Sequence, residues 1–253
     1  MSVTTNIAHS DERTITIRGK DLVGELIGRR SFTEMVFFLV RNRFPTAEEA
    51  RILDACLVTL MEHGLTPSAI VTRMLADNVP GQAQVAMAAG LLAVGDVFVG
   101  TIEGCARLLK DGMEGAATHA AYCRDVVAQH LARRAPLPGF GHRLHKPDDP
   151  RAVRLLALGA ECNVKGDYAR LLKQLSEELD RASGRHITIN ATGAIAALLL
   201  EIGMPLEVMR PIAVLSRCGG LPGHILEDKK TGSGRYIWRL VDDSIAYQPP
   251  AAE

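Results

Sequence analysis

The sequence predicts an all-α protein with one short strand near its N-terminus. Apolar residues recur at helical spacing along most of the 253 positions, short connections join the segments they define, and only one stretch alternates like a strand. With 47% hydrophobic and 23% charged residues, the chain can bury a sizeable core in one large domain or two intimate ones.

The alternating stretch is Arg13-Thr14-Ile15-Thr16-Ile17-Arg18, rich in β-branched residues and ended by Gly19. Ser31 and Glu34 then have capping-box spacing ahead of the apolar run from Met35 to Val40, which marks a helix start. Pro45-Thr46-Ala47-Glu48-Glu49 gives a second start, before Ile52, Leu53, Cys56, Leu57 and Leu60 on one helical face. Further helices are expected near 67–76, 81–94, 96–110, 114–132, 149–162, 166–183, 189–202 and 205–217. Small residues crowd two of them, at Ala83, Ala86, Ala88, Ala89 and Gly90 and again at Ala191, Gly193, Ala194, Ala196 and Ala197. Such faces let helices approach closely, in a core or across a dimer interface.

Composition narrows the function classes. Lysine plus arginine and aspartate plus glutamate both number 29, so no overall field recruits nucleic acid or an anionic membrane, and any anion site must be local. The five cysteines are widely spaced with no Cys-x-x-Cys, which argues against a disulfide framework or a zinc site and fits a reducing, cytoplasmic compartment. The N-terminus has neither a basic head nor an apolar run, and no segment has eighteen uninterrupted apolar residues, so neither secretion nor a membrane span is expected. Neither a dinucleotide-binding glycine motif after a strand nor a phosphate-binding P-loop is present.

The densest chemistry lies in Leu137-Pro138-Gly139-Phe140-Gly141-His142-Arg143, followed by Asp149-Pro150-Arg151. A glycine turn, a histidine that titrates near neutrality and a fixed cation suit an anionic substrate whose hydroxyl or carbonyl needs an acid or base. The same residues also read as a plain connector between two helices.

Separated motifs carry a resemblance, in order, from about residue 16 to 247. They are Arg18-Gly19-Lys20-Asp21-Leu22; Phe44-Pro45-Thr46-Ala47-Glu48-Glu49; Glu62-His63-Gly64 with Ser68 and Arg73; Gly139 to Arg143 with Asp149-Pro150-Arg151; Ser216-Arg217; Gly223-His224-Ile225-Leu226-Glu227; and Trp238 with Asp242-Asp243-Ser244-Ile245-Ala246-Tyr247. Together they resemble the citrate synthase superfamily, most closely its citryl-CoA lyase branch. That resemblance implies a citrate synthase-like helical fold, truncated at the N-terminus relative to full citrate synthases. It implies one unit over 1–253, with a large helical part at about 16–135 and 189–247 and a small CoA-side part at about 136–188.

By the same resemblance the activity is retro-Claisen cleavage of citryl-CoA, or a related 3-hydroxy-3-carboxyacyl-CoA, to acetyl-CoA and oxaloacetate or another 2-oxo acid. The alternatives are acyl-CoA condensation of the synthase type and a degenerate protein that binds CoA and carboxylates. His142 would meet the substrate hydroxyl or the 2-oxo carbonyl, and His63 would bind or polarise the same substrate. Arg151 and Arg217 would hold carboxylates, as bidentate guanidinium contacts orient better than an ammonium. Arg235 aligns with an arginine that reaches a neighbouring subunit, which implies a homodimer, and His224 reads as a ligand contact or a structural residue. CoA contacts fall on Pro138, Gly139, Phe140, Gly141, Arg143 and Lys146, the glycines offering backbone edges to adenine. CoA enters as substrate or product; no permanently bound cofactor and no metal are implied.

Two departures qualify the resemblance. Gly95-Asp96-Val97-Phe98-Val99-Gly100 places Phe98 where synthases carry a histidine, which shifts the expectation toward the lyase branch. Ile189-Asn190-Ala191-Thr192-Gly193 places Thr192 where the family carries its catalytic aspartate. A hydroxyl is not a carboxylate base near neutral pH.

Overall fold

The chain begins with a small antiparallel sheet whose geometry follows from two left-handed residues. In the computed structural model, which describes residues 3–95, 100–115 and 118–250, β1 (Ala8–Ser10), β2 (Ile15–Ile17) and β3 (Lys20–Asp21) lie in that order. Ile17 pairs with Lys20, leaving Arg18 (φ 48°) and Gly19 (φ 77°) as a two-residue hairpin turn of the kind that needs positive φ at both positions. The expected strand is therefore β2. Its partner β1 carries no apolar alternation and is set by register, Ala8 opposite Ile17.

Helices make up most of the rest. They are α1 (Phe32–Arg41), α2 (Ala47–Met61), α3 (Pro67–Asn78), α4 (Ala83–Leu92), α5 (Thr101–Gly115), α6 (His119–Ala132), α7 (Pro150–Glu161), α8 (Asp167–Ser183), α9 (Ala191–Glu201), α10 (Met209–Thr231) and α11 (Ser233–Ser244). The Ser31–Glu34 capping box forms in both directions at the start of α1. The largest departure from an expected boundary is in α10, which runs on to Thr231 through Gly219, Gly220 and Pro222, residues that ordinarily stop a helix. A side chain at 220 would run into the Met61 carbonyl, so the glycines there serve close packing on the end of α2.

Two compact units form. The first comprises residues 1–56 and 102–209, the second 57–101 and 210–253.

In the first unit, α8 packs against α6 and α9, and α9 also against α7. Leu171, Leu172, Leu175 and Leu179 make the buried stripe of α8. Each fully buried leucine contributes about 1.5–3 kcal/mol relative to exposure. Helix α9 is buried continuously from Gly193 to Leu200, the pattern of a helix surrounded by protein.

In the second unit, α3 packs against α4 and α11, around Ala76, Ala86 and Ile225. Gly90 permits the close α3–α4 approach, since a Cβ there would meet the Ser68 carbonyl oxygen at 2.8 Å. Among the described residues, no helix is long and apolar enough to cross a membrane.

Candidate functional site

The glycine–histidine loop of the first unit is pinned to the segment that enters α9. Gly141 N–H donates to the Thr188 carbonyl (2.8 Å), Asn190 N–H donates to the Gly139 carbonyl (3.0 Å), and the Asn190 amide donates to the Gly141 carbonyl (3.0 Å). Phe140 faces Ile189 as an isolated antiparallel bridge and is buried. Gly139 has φ +89°, and a side chain there would meet Cys105 Sγ at 2.5 Å and the Gly193 Cα at 3.0 Å. The backbone edges expected to read adenine at Gly139 and Gly141 are thus engaged by residues 188–190.

That pinning presents His142. Its Nδ1 accepts the backbone N–H groups of Leu144 (3.2 Å) and His145 (3.1 Å), and its ring stacks on His145 with centroids 4.3 Å apart. A ring nitrogen that accepts two main-chain N–H groups carries no hydrogen, so neutral His142 is assigned its proton on Nε2. Arg151 Nη2 lies 3.3 Å from that Nε2. The His142 ring and the Arg151 guanidinium therefore lie side by side.

Arg151 is aimed by Asp149, the N-cap of α7. Asp149 accepts from Arg151 Nε (3.0 Å), Nη2 (2.8 Å) and backbone N–H (3.0 Å), and from Ala191 N–H (3.0 Å). Burial pushes its carboxyl up, but the Arg151 hydrogen bonds and charge and the two backbone donors outweigh it, holding the group below the usual carboxylate value. Arg143 and Lys146 are exposed on the same loop, and Pro138 is half-buried.

Thr192 stands in the first turn of α9. Its hydroxyl donates to Asn190 Oδ1 (2.6 Å), which also caps the Gly193 N–H.

The second unit holds the other expected residues. His63 is exposed just beyond α2. Glu62 accepts the His63 and Gly64 N–H groups at 2.8 and 2.6 Å. Arg217, only 4% exposed, has Nε and Nη1 buried with no hydrogen-bond partner among the described residues. Burial pushes the pKa of this guanidinium down, opposed by the Glu62 charge. His224 is buried with both ring nitrogens engaged, by Arg73 Nε at 2.9 Å and Glu62 Oε2 at 2.7 Å.

Arg235 is exposed and forms a two-point contact with Asp77 (3.1 and 3.0 Å), lining a cavity of about 430 Å³ with Lys229, Tyr236 and Arg239. Phe98 lies outside the described residues.

Sequence reasoning did not single out Asp149, Asn190 or Glu62 as positioning groups. Only the Asp-Pro dipeptide, a helix-start signal, pointed to the first of them.

With this geometry established, the known proteins are informative. Residues 45–240 match the family model for the citrate synthase C-terminal domain. A putative citrate synthase 2 of Mycobacterium tuberculosis is 30% identical over 209 residues, covering 81% of this chain and 53% of that protein. The chain thus spans about half the length of that relative. The citryl-CoA lyase of Hydrogenobacter thermophilus superposes with a TM-score of 0.81 at 30% identity, covering 89% of this chain and 86% of that one. ATP citrate lyase of Methanothrix soehngenii, solved with citrate and coenzyme A, superposes with a TM-score of 0.83 at 22% identity, covering 99% of this chain and 42% of that one.

Proposed function

The chain belongs to the citrate synthase family, and on that premise we propose that it cleaves citryl-CoA, or a related 3-hydroxy-3-carboxyacyl-CoA, to acetyl-CoA and oxaloacetate or another 2-oxo acid. The observation that carries this reading is the convergence of His142 Nε2–H and Arg151 Nη2 within 3.3 Å. The reacting oxygen of such a substrate starts as a tertiary hydroxyl and ends as a ketone. Two donors on one oxygen stabilise the charge that builds there while the electron pair of the breaking carbon–carbon bond moves into the thioester enolate. The hydroxyl gives up its proton to water as the carbon–carbon bond breaks, and the enolate carbon takes one from water, so acetyl-CoA and the 2-oxo acid form with no net change in protons.

Asp149 keeps Arg151 in place, so orientation is established before substrate arrives. In the second unit, the buried Arg217 has two nitrogens available to a substrate carboxylate, and His63 supplies an exposed imidazole. Arg143 and Lys146 are the cations of the loop assigned to the CoA phosphates. The likeness to a citryl-CoA lyase, with a TM-score of 0.81 at 30% identity, supports the lyase reading. A homodimer in which Arg235 exchanges Asp77 for a partner's ligand belongs to the same proposal.

A second reading has its own observation. Thr192 supplies no carboxylate, and both oxygens of Asp149 are committed to protein donors. A degenerate protein that binds CoA and carboxylates without turnover fits those facts. Release of oxaloacetate and acetyl-CoA from synthetic citryl-CoA decides between them. Cleavage that falls about 100- to 10,000-fold in His142→Ala supports the lyase; an unchanged rate in that variant removes His142 from the mechanism.

A further inference from the structure

We propose that Arg73 and His224 are positioning residues that hold the His63 backbone in register through Glu62, an inference that rests on the role given to His63 above. The four residues form one hydrogen-bonded line within the second unit. Arg73 is 4% exposed on α3 and each of its three nitrogens donates: Nε–H to His224 Nδ1 (2.9 Å), Nη1 to Ser233 Oγ (2.7 Å), and Nη2 to Glu227. His224 is 7% exposed on α10, and its Nε2 reaches Glu62 Oε2 at 2.7 Å. The other Glu62 oxygen, Oε1, receives the N–H groups of His63 and Gly64. Neither His63 nor Gly64 lies in a helix, and Gly64 turns the chain at φ +70°.

Direction is imposed from the buried end. Arginine is only a donor, so its Nε–H leaves His224 Nδ1 as an acceptor and assigns the ring hydrogen to Nε2. That tautomer is the one that donates to Glu62. The carboxylate, anchored on one oxygen, then presents the other to two consecutive main-chain donors. An exposed turn thereby gains a fixed reference in the interior, 162 positions away in sequence at His224. Met61 and Glu62 are seated tightly as well, because a Cβ at Gly220 would meet the Met61 carbonyl and lie 3.2 Å from Glu62 Oε2.

Two conservative variants separate the links. His224→Asn keeps an acceptor near the Nδ1 position for Arg73 but does not reach Glu62, whereas His224→Gln places an amide N–H near the Nε2 position. In the full-length protein, nuclear magnetic resonance should show His224 Nδ1 as unprotonated and Nε2 as protonated, with the His63 and Gly64 amide protons well downfield. The Asn variant should move both amide protons upfield and lower kcat/KM for citryl-CoA roughly 10- to 100-fold, as expected for a misplaced site group, while the Gln variant stays close to the natural protein. The opposite tautomer, or amide protons unmoved in His224→Asn, overturns the proposal. If the natural protein releases no oxaloacetate from citryl-CoA, the proposed activity fails, and the ring-nitrogen and amide measurements still decide the positioning.

Discussion

Asp149 holds Arg151 through both carboxylate oxygens, and none of the aspartate reaches solvent. The pair sits at the start of α7, so one residue both caps a helix and fixes the cation beside His142. Asp149→Asn leaves the guanidinium without its counter-charge. Breaking a buried pair from one side is expected to destabilise by about 3 kcal/mol, near the lower end for such changes, because Arg151 keeps 26% of its side chain exposed. Urea unfolding should show a lower midpoint with an unchanged slope. The folded carboxyl is held below its unfolded value, so the stability it supplies is complete above the unfolded pKa and is lost as pH falls through the folded one. Asp149→Asn should therefore flatten the acid limb of the stability profile; an unaltered acid limb would show that this carboxylate is not what acid titrates.

Gly139 and Gly193 make a backbone-to-backbone contact that no side chain fits. A Cβ at 193 would collide with the Gly139 carbonyl and lie 3.1 Å from its Cα. Gly193→Ala is expected to destabilise by at least about 1–3 kcal/mol, because main chain rather than a flexible side chain must yield. It should also weaken substrate turnover by moving the loop that carries His142. Gly223→Ala is the matched control. It lies in α10 with nothing within 4 Å of the added Cβ and should be neutral or stabilise by up to about 1 kcal/mol. Equal melting temperatures for the two variants would remove the packing argument.

Legibility in the sequence tracked the range of the interaction. The capping box at Ser31 and Glu34 and the Asp149-Pro150 start of α7 involve neighbours within three residues, and their residue types announce them. Helix α10 was legible only in its first half. Gly219, Gly220 and Pro222 carry stop signals that packing overrides, with Gly220 pressed against Met61. The candidate site of each unit was named by residue, His142 and Arg151 in the first, His63 and Arg217 in the second. Its supports were not, because they join distant segments: Asn190 to Gly141 across 49 positions and His224 to Glu62 across 162. Single-sequence spacing carries no signal for such pairs.

His186 links two stretches of chain at the edge of the loop. Its ring nitrogens face Asp180 at 2.6 Å and Asp148 at 3.2 Å, and these two hydrogen bonds, with the carboxylate charges, raise its pKa above the usual histidine value. A raised pKa in the folded state means the stabilisation is fully present below the unfolded value, about 6.5, and disappears as pH rises through the folded one. Melting temperature should therefore fall across that upper window, and His186→Gln should remove this part of the slope. With 44% of the side chain exposed, salt should weaken the effect. A variant with the same pH slope as the natural protein would place the titration elsewhere.

Thr192→Asp tests whether the missing carboxylate is what limits chemistry. Position 192 lies in the first turn of α9, where the positive end of the helix favours a negative side chain by roughly 0.3–1 kcal/mol. The substitution removes the hydroxyl that donates to Asn190 Oδ1, so the new carboxylate must turn from that oxygen while Asn190 keeps its bonds to Gly193 N–H and the Gly141 carbonyl. The loop should stay pinned, because none of those two bonds uses Thr192. If the natural protein lacks a general acid–base group at the reacting carbon, supplying one should raise oxaloacetate release from citryl-CoA by about 100- to 10,000-fold. Steady-state rates of the two proteins, measured with His142→Ala in the same aspartate background, separate the outcomes. A large gain that His142→Ala abolishes identifies Thr192 as the lesion in an otherwise assembled site. A rate no higher than that of the natural protein, where that protein already turns over, means another group moves the proton and Thr192 is an adaptation rather than a loss.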